Sequence, residues 1–508
     1  MDQLAGNSEP GAPTLPPSAL PVSSELGLGV RVFQNTTALL GGRVLGLFFS
    51  AGTSILLARF LGRERLGQYG AIYAYLSLYG FFATFCLEQI IARETSLRRH
   101  QAAEIFHTAT LTALGFSLIG AILAPLVAPL FGYSGSIRWL IVIAAVDMLI
   151  LPPLRFRGII FQVEMRFWYS VAIGLFRQAL WLLAILLLLL RNAAFYEVIL
   201  ARTLCGVVEA VLVLWTVHRL GLIRGPNRFL PSEARLMLRG GFPLVLTTLA
   251  GGIYHRIDQV MLHKMSGDQV LGPYVIAVQL TELFSTLPVA LMSALFPALS
   301  QSVRDPQRFD RYLRESYRFL LVLVFAACAV ITPIAAPFIE LFYGKQFLTT
   351  APLLIVLIWS EVPIFFGVTL ASAVVAKGLQ RYTPYGAIAG AFVNILLNLA
   401  LIPRFGALGA SWATVISYTV AGIFFLMLFP EVRPMVAVGL RTAIWPLALA
   451  LTITFSIGLL HFSLWWKFLA ALLAYALGAL LTGAIERADL IRLRGMFRGG
   501  WKCLKTKP

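Results

Sequence analysis

The sequence is poor in charge. Only 13% of its 508 residues are Asp, Glu, Lys or Arg, about half the share of a soluble domain. Carboxylates are the scarcer sign, with 23 Asp+Glu against 41 Lys+Arg. Cysteine is scarce as well. Cys86, Cys205, Cys328 and Cys503 form no C-x-x-C pair and no metal-ligand spacing, which excludes a disulfide framework and a thiolate zinc site. Three of the four lie in apolar runs, where a thiol acts as a small hydrophobe. The six histidines include no pair at i, i+4, and no G-x-x-x-x-G-K-[ST] loop is present. The chain therefore lacks a helical zinc-protease motif and a nucleotide-phosphate cradle, and ATP-driven work would need a separate subunit.

What fills the sequence instead is apolar: 59% of residues, with a mean hydropathy of +0.82. Apolar runs near 20 residues recur from Thr37 almost to the C-terminus, and that length crosses the hydrocarbon core of a bilayer. A cytosolic enzyme on one anchor and a secreted protein are both excluded. The pattern predicts an all-α polytopic membrane protein with fourteen spans, at about 37–60, 67–92, 105–131, 137–160, 167–190, 194–218, 241–264, 270–300, 310–342, 350–377, 384–402, 406–430, 436–460 and 464–484. Proline pairs at 125 and 129, 152 and 153, and 333 and 337 fall inside spans and are expected to kink them.

Residues 1–30 hold five prolines and no Lys or Arg. No basic region precedes a hydrophobic core, so this is not a secretory signal; 1–34 reads as a disordered cytoplasmic tail. The formal charge of +18 would point a soluble protein towards nucleic acid. Here the basic residues gather after even-numbered spans: Arg93, Arg98, Arg99, the stretch Arg219–Arg239, the segment Arg304–Arg318 and the tail 486–508. That is the signature of cytoplasmic loops. It puts both termini in the cytoplasm and leaves no basic surface to assign to nucleic acid.

An internal repeat organises the chain. Gly62-x-x-x-Leu66-Gly67-x-Tyr69 recurs as Gly267-x-x-x-Leu271-Gly272-x-Tyr274, 205 residues on. Ala124-Pro125-Leu126-Val127-Ala128-Pro129-Leu130 recurs as Thr332-Pro333-Ile334-Ala335-Ala336-Pro337-Phe338, 208 residues on. The halves are then 35–218 and 241–430, joined by a basic cytoplasmic linker at 219–240, with two further helices in 431–485. Six spans per half is an even number, so the halves run in parallel about an axis along the membrane normal. Two parallel six-helix bundles around a central cleft suit alternating access rather than a pore.

Several segments resemble the polysaccharide transporters that flip lipid-linked oligosaccharides, within the multidrug/oligosaccharidyl-lipid/polysaccharide exporter superfamily. They are Leu57-Ala58-Arg59-Phe60-Leu61-Gly62 with Leu66-Gly67-Gln68-Tyr69; Arg256-Ile257-Asp258-Gln259-Val260-Met261-Leu262 with Gly272-Pro273-Tyr274 and Leu295-Phe296-Pro297; and Asn394-Ile395-Leu396-Leu397-Asn398 with Leu401-Ile402-Pro403-Arg404-Phe405-Gly406-Ala407-Leu408-Gly409-Ala410. The likeness runs from about 35 to 430. It implies a flippase that exports undecaprenyl-diphosphate-linked sugar units across the bacterial inner membrane for cell-surface or exopolysaccharide synthesis. Its expected partners are that lipid-linked substrate, membrane lipids, and a polymerase and glycosyltransferases of the pathway.

The residues lead to a compatible reading by themselves. Ionisable groups inside spans are costly and usually face a cavity or a partner. Arg43, Arg177, Arg202 and Arg256 sit within spans, against Asp147, Glu209, Asp258, Glu282 and Glu361. Guanidinium forks suit a diphosphate, so these four arginines are the candidate substrate contacts. Two have a plainer role open to them: Arg43 beside Gly42-x-x-x-Gly46 as a snorkelling residue, Arg202 with Glu209 as a structural ion pair. Arg177 is too central to snorkel and is the foremost cleft candidate. Arg256 and Asp258, two apart, point to different faces. Asp258, His255 and Glu209 are candidates for a coupling ion, H+ or Na+; Asp258 also reads as a helix-orienting acceptor, and His255 as a plain buried histidine. Asn394 and Asn398 read as interhelical glue, and Gly386-x-x-x-Gly390 as close packing. No cofactor or metal is expected, and no covalent chemistry. The rivals are a flippase for the peptidoglycan lipid precursor, a cation-coupled multidrug exporter, and a membrane glycosyltransferase or ligase, the last opposed by the short outer loops.

Overall fold

The computed structural model describes residues 22–481 apart from Cys86, Ser134, His461 and Phe462, with residues 22–40 and a few positions inside helices described by backbone alone. The expected tails over 1–21 and 486–508, with Cys86 and Cys503, lie outside the described residues.

Every element among the described residues is helical. Helix α1 spans Val22–Ser77, so residues 22–34, expected as tail, are helical; the last proline of the tail is Pro21. Short α2 (Gly80–Thr84) and α3 (Leu87–Leu97) follow, then α4 (Ala102–Val127), α5 (Gly135–Arg155), α6 (Ile160–Val163), α7 (Phe167–Leu190) and α8 (Phe195–Arg219). The second half begins with α9 (Pro231–Ser266), α10 (Asp268–Gln301), α11 (Pro306–Phe342), α12 (Thr350–Ile358), α13 (Glu361–Ala376) and α14 (Thr383–Thr419). Helices α15 (Arg433–Gly458) and α16 (Leu464–Leu481) close the described chain.

Among the described residues, ten helices are long and apolar enough to cross a membrane, or eleven with Gly135–Leu151 and Phe156–Val163 taken as one span bent by 43° at the paired prolines. The expected count of fourteen is not reached by that measure, for physical reasons visible at particular residues. The first expected span and the start of the second are two helices that meet within α1 at a kink, where Gly62 takes φ 68 and ψ −175. The eleventh and the first part of the twelfth meet in the same way within α14, at Gly406 with φ 54, so each pair counts as one helix. Only glycine occupies such backbone at little cost. Helix α9 starts at Pro231, ten residues before the expected span, because proline suits a helix's first position; much of the expected linker is therefore helix. Many large apolar side chains stand exposed on the outer faces, among them Phe48, Trp139, Leu183, Phe392 and Phe455, as lipid contact requires.

The repeat is visible in three dimensions at one crossing. Gly267 copies the backbone of Gly62, with φ 80 and ψ 171. A Cβ on Gly67 would lie 2.0 Å from the carbonyl oxygen of Asp268, and one on Gly272 would lie 2.0 Å from that of Arg63. The four positions exchange under the 205-residue offset, so α1 and α10 meet as self-complementary copies about a two-fold axis. The same offset relates Arg59 to Lys264. Arg59 donates to the carbonyls of Phe342 (2.8 Å) and Leu341 (3.0 Å) at the end of α11, and Lys264 donates to that of Leu130 (2.8 Å) beyond α4. Each repeat thus caps a helix end of the other, satisfying carbonyls left orphaned there. At the opposite end Arg98, past α3, makes a two-pronged bridge to Glu233 in the first turn of α9, at 2.6 and 2.8 Å.

Two predictions follow from these contacts. Gly272→Val drives a side chain into the Arg63 backbone and is expected to cost at least about 3 kcal/mol, read as a fall in the detergent-solubilised melting midpoint; Gly458→Val, in open space, is expected to change it little. The Arg98 guanidinium holds the Glu233 carboxyl below its ordinary value of 4.5. The bridge therefore stabilises at neutral pH, and its contribution is lost as pH falls through that lowered value. The melting difference between wild type and Glu233→Gln is expected at pH 7 and should shrink as pH drops below 4.5.

Candidate functional site

Next to the α1–α10 crossing lies a cavity of about 370 Å³. Helix α1 contributes Tyr69, Tyr73 and Ser77; α5 contributes Asp147 and Arg155; α8, Arg202; α9, Arg256 and Gln259; α10, Gln279 and Glu282. The repeat's tyrosines set its polarity. Tyr69 OH accepts a hydrogen bond from Arg202, whose guanidinium also stacks 3.7 Å from the Tyr73 ring centroid. Its counterpart Tyr274 donates instead to Asp258. One scaffold position therefore holds a cation in the first repeat and an anion in the second.

Glycine makes room for the charges on α5. A Cβ at Gly206 would lie 2.2 Å from Leu151 Cδ1, 3.2 Å from Asp147 Oδ1 and 3.4 Å from Arg155 Nη2. Its absence lets α5 and α8 approach until Arg155 reaches Glu209 at 2.6 Å. Arg177, from α7, meets the same carboxylate at 3.3 Å. Arg256 pairs with Glu282 at 3.0 Å.

The expected arginines are therefore not equivalent. Arg202 and Arg256 line the cavity. Arg177 stands behind it, tied to Glu209. Arg43 does not join them: it is exposed on α1, on the helix whose Gly42 and Gly46 pack against Val171 and Gln178 of α7. Glu209, expected as a partner for Arg202, serves Arg155 and Arg177 instead. Four arginines (155, 177, 202, 256) face three carboxylates (147, 209, 282), which leaves one excess positive charge. At membrane depth an unpaired charge costs several kcal/mol, and the pairing removes most of that cost.

Of the coupling candidates, Glu209 is on α8 in the first repeat, and Asp258 and His255 are on α9 in the second. Asp258 is buried and accepts from the Gln259 N–H at 2.7 Å besides Tyr274, the orienting role open to it from sequence. His255 Nδ1 lies 2.9 Å from Tyr418 OH. Asn398 donates to Asn394 at 2.9 Å, and Asn394 to Ser417 at 3.0 Å, so this pair joins the two limbs of α14. A Cβ at Gly386 or Gly390 would strike Ala421 at 2.8 or 2.6 Å, as close packing demands.

Sequence reasoning missed Arg155, Tyr69 and Tyr73 as cavity residues. Arg155 closely follows prolines 152 and 153, and a helix bent inside an apolar run was the available signal that its flanking charge lies at depth. Tyr69 was recognised as a repeat position, yet spacing alone does not tell which charge a tyrosine will meet.

Two proteins of Haloferax volcanii are similar to this chain over most of their length. A probable low-salt glycan biosynthesis flippase, Agl15, is 22% identical over 383 residues, covering 73% of this chain and 79% of its own. A probable flippase, AglR, is 24% identical over 415 residues, covering 78% and 84%. Among solved structures, the lipid II flippase MurJ in an inward closed conformation superposes with a TM-score of 0.68 at 17% identity, over 90% of this chain and 99% of that one; the two share a fold. Residues 56–352, more than half of the chain and including the α1–α10 crossing and every arginine of the cavity, match the family described as polysaccharide biosynthesis protein, and this multi-pass membrane protein belongs to that family.

Proposed function

We propose that the protein is a flippase for lipid-linked glycans, and that its substrate is an undecaprenyl-diphosphate-linked oligosaccharide moved across the bacterial inner membrane from a cytoplasmic side, where both termini lie. The observation that carries the reading is the cavity at the junction of the repeats, where Arg155, Arg202 and Arg256 converge in an otherwise apolar molecule. The name of one relative, the probable low-salt glycan biosynthesis flippase Agl15, supports the substrate class.

The paired charges supply a mechanism. A diphosphate entering the cavity competes with Glu282 for Arg256 and with Glu209 for Arg155. Because the guanidinium groups are already paired and held in place, the anion exchanges one acceptor for another rather than ordering a free side chain. Arg202, fixed by Tyr69 and Tyr73, stays in place as the cationic floor. Loss of Arg155 leaves Glu209 with Arg177 as its remaining partner, which suits it, ahead of the buried Asp258 and of His255, to take up a coupling H+ or Na+. Rocking of the repeats about the α1–α10 crossing then opens the cavity to the other side, and no bond in the substrate is made or broken. The polymerase and glycosyltransferases of the pathway would act before and after this step.

In proteoliposomes carrying a defined undecaprenyl-diphosphate-linked sugar, the Arg155→Ala/Arg256→Ala double variant is expected to slow translocation at least about tenfold, the loss of one charge-assisted contact or more. Arg43→Ala should stay near the wild-type rate. A double variant with wild-type transport at equal protein level would overturn the site. Glu209→Gln leaves two guanidinium groups unpaired and is expected to destabilise by about 3–5 kcal/mol; adding Arg155→Gln should recover part of that loss in the melting midpoint.

A further inference from the structure

The second expected span is broken at membrane depth. Helix α1 ends at Ser77, a turn crosses Leu78 and Tyr79, α2 lasts five residues, and Phe85 takes a left-handed φ of 44 before α3 begins. Irregular backbone inside a bilayer persists only where protein covers it or where it lines a cavity. Here it lines one. A second cavity of about 420 Å³ separates Leu78, Gly80 and Phe81 from Leu249, Gly251 and Gly252 of α9. Ser77 and Arg256 border both this cavity and the charged one, so the two are adjacent and share a wall.

Missing side chains keep the space open. A Cβ on Gly80 or Gly251 would meet no heavy atom within 4 Å, and one on Gly252 only the Ser77 carbonyl oxygen at 3.9 Å. These glycines are not there for close helix contact, in contrast to Gly67 and Gly272. The result is an apolar chamber that abuts, at Arg256, a cationic one.

We propose that this chamber seats the head-proximal hydrocarbon of the transported lipid, a polyprenyl chain whose diphosphate is held at Arg256. The inference rests on the cationic cavity being the head site. An amphiphile demands this arrangement: its charged end must sit among the arginines while its chain leaves towards lipid without crossing polar surface. The slot between the broken span and α9 offers that exit, and His255 and Arg256 mark the boundary between its apolar and charged parts.

The test uses purified full-length protein and two probes, undecaprenyl diphosphate and inorganic pyrophosphate. Gly251→Leu fills the chamber without a clash. It is expected to weaken binding of undecaprenyl diphosphate about tenfold and to leave pyrophosphate binding unchanged. Gly174→Leu, on α7 and equally unobstructed, should alter neither. Wild-type lipid affinity in Gly251→Leu overturns the proposal. Wild-type protein that binds pyrophosphate as well as it binds the lipid overturns the proposal while the head site stands, and wild-type protein that binds neither probe overturns both. Should Gly251→Leu misfold, a benzophenone side chain in place of Leu78 reads the same site. Crosslinking to added undecaprenyl diphosphate supports the assignment; crosslinking to bulk phospholipid alone, undiminished by that lipid, contradicts it.

Discussion

The crossing of α1 and α10 is the contact from which the rest of the architecture follows. Two backbones touch there because Gly67 and Gly272 carry no side chain and each faces a carbonyl of the other repeat. Lipid offers helices no hydrophobic drive to associate, so close van der Waals packing of this kind does the work. Everything near the crossing inherits its two-fold relation: the glycine breaks at 62 and 267, the caps from Arg59 and Lys264, and the tyrosines at 69 and 274.

Function arises where the symmetry is broken. Tyr69 meets Arg202 and Tyr274 meets Asp258, so matching scaffold positions present opposite charge. The cationic side faces the cavity. Its arginines are mostly compensated, which on the proposed function reconciles two demands that look opposed: stability of charge at membrane depth and readiness to bind an anion. Carboxylates that can be displaced meet both.

Much of this was legible in the sequence, and the residues say why. Helical class and membrane residence follow from apolar runs, which depend on composition and length alone. The repeat was legible because glycines at fixed offsets report backbone shape, and backbone shape is what the crossing preserves. Span boundaries were legible at the glycine kinks, 62 and 406, which local sequence marks; they failed inside the second span, which is interrupted after Ser77, because tertiary packing decides such a turn. Charge pairing was not legible. Glu209 meets Arg155 and Arg177 across three helices, and periodicity on one helix carries no information about its neighbours. Arg43 illustrates the converse, a charge within a span that never reaches the cavity.

The central claim is that the cavity carries an anionic lipid head across the membrane. The most direct measurement follows translocation in proteoliposomes of two fluorescent sugars, one linked through undecaprenyl diphosphate and one attached to uncharged undecaprenol, by their accessibility to an impermeant quencher. The account predicts transport of the diphosphate-linked sugar well above the protein-free rate and none for the neutral one. Equal transport of both, or of neither, would contradict it.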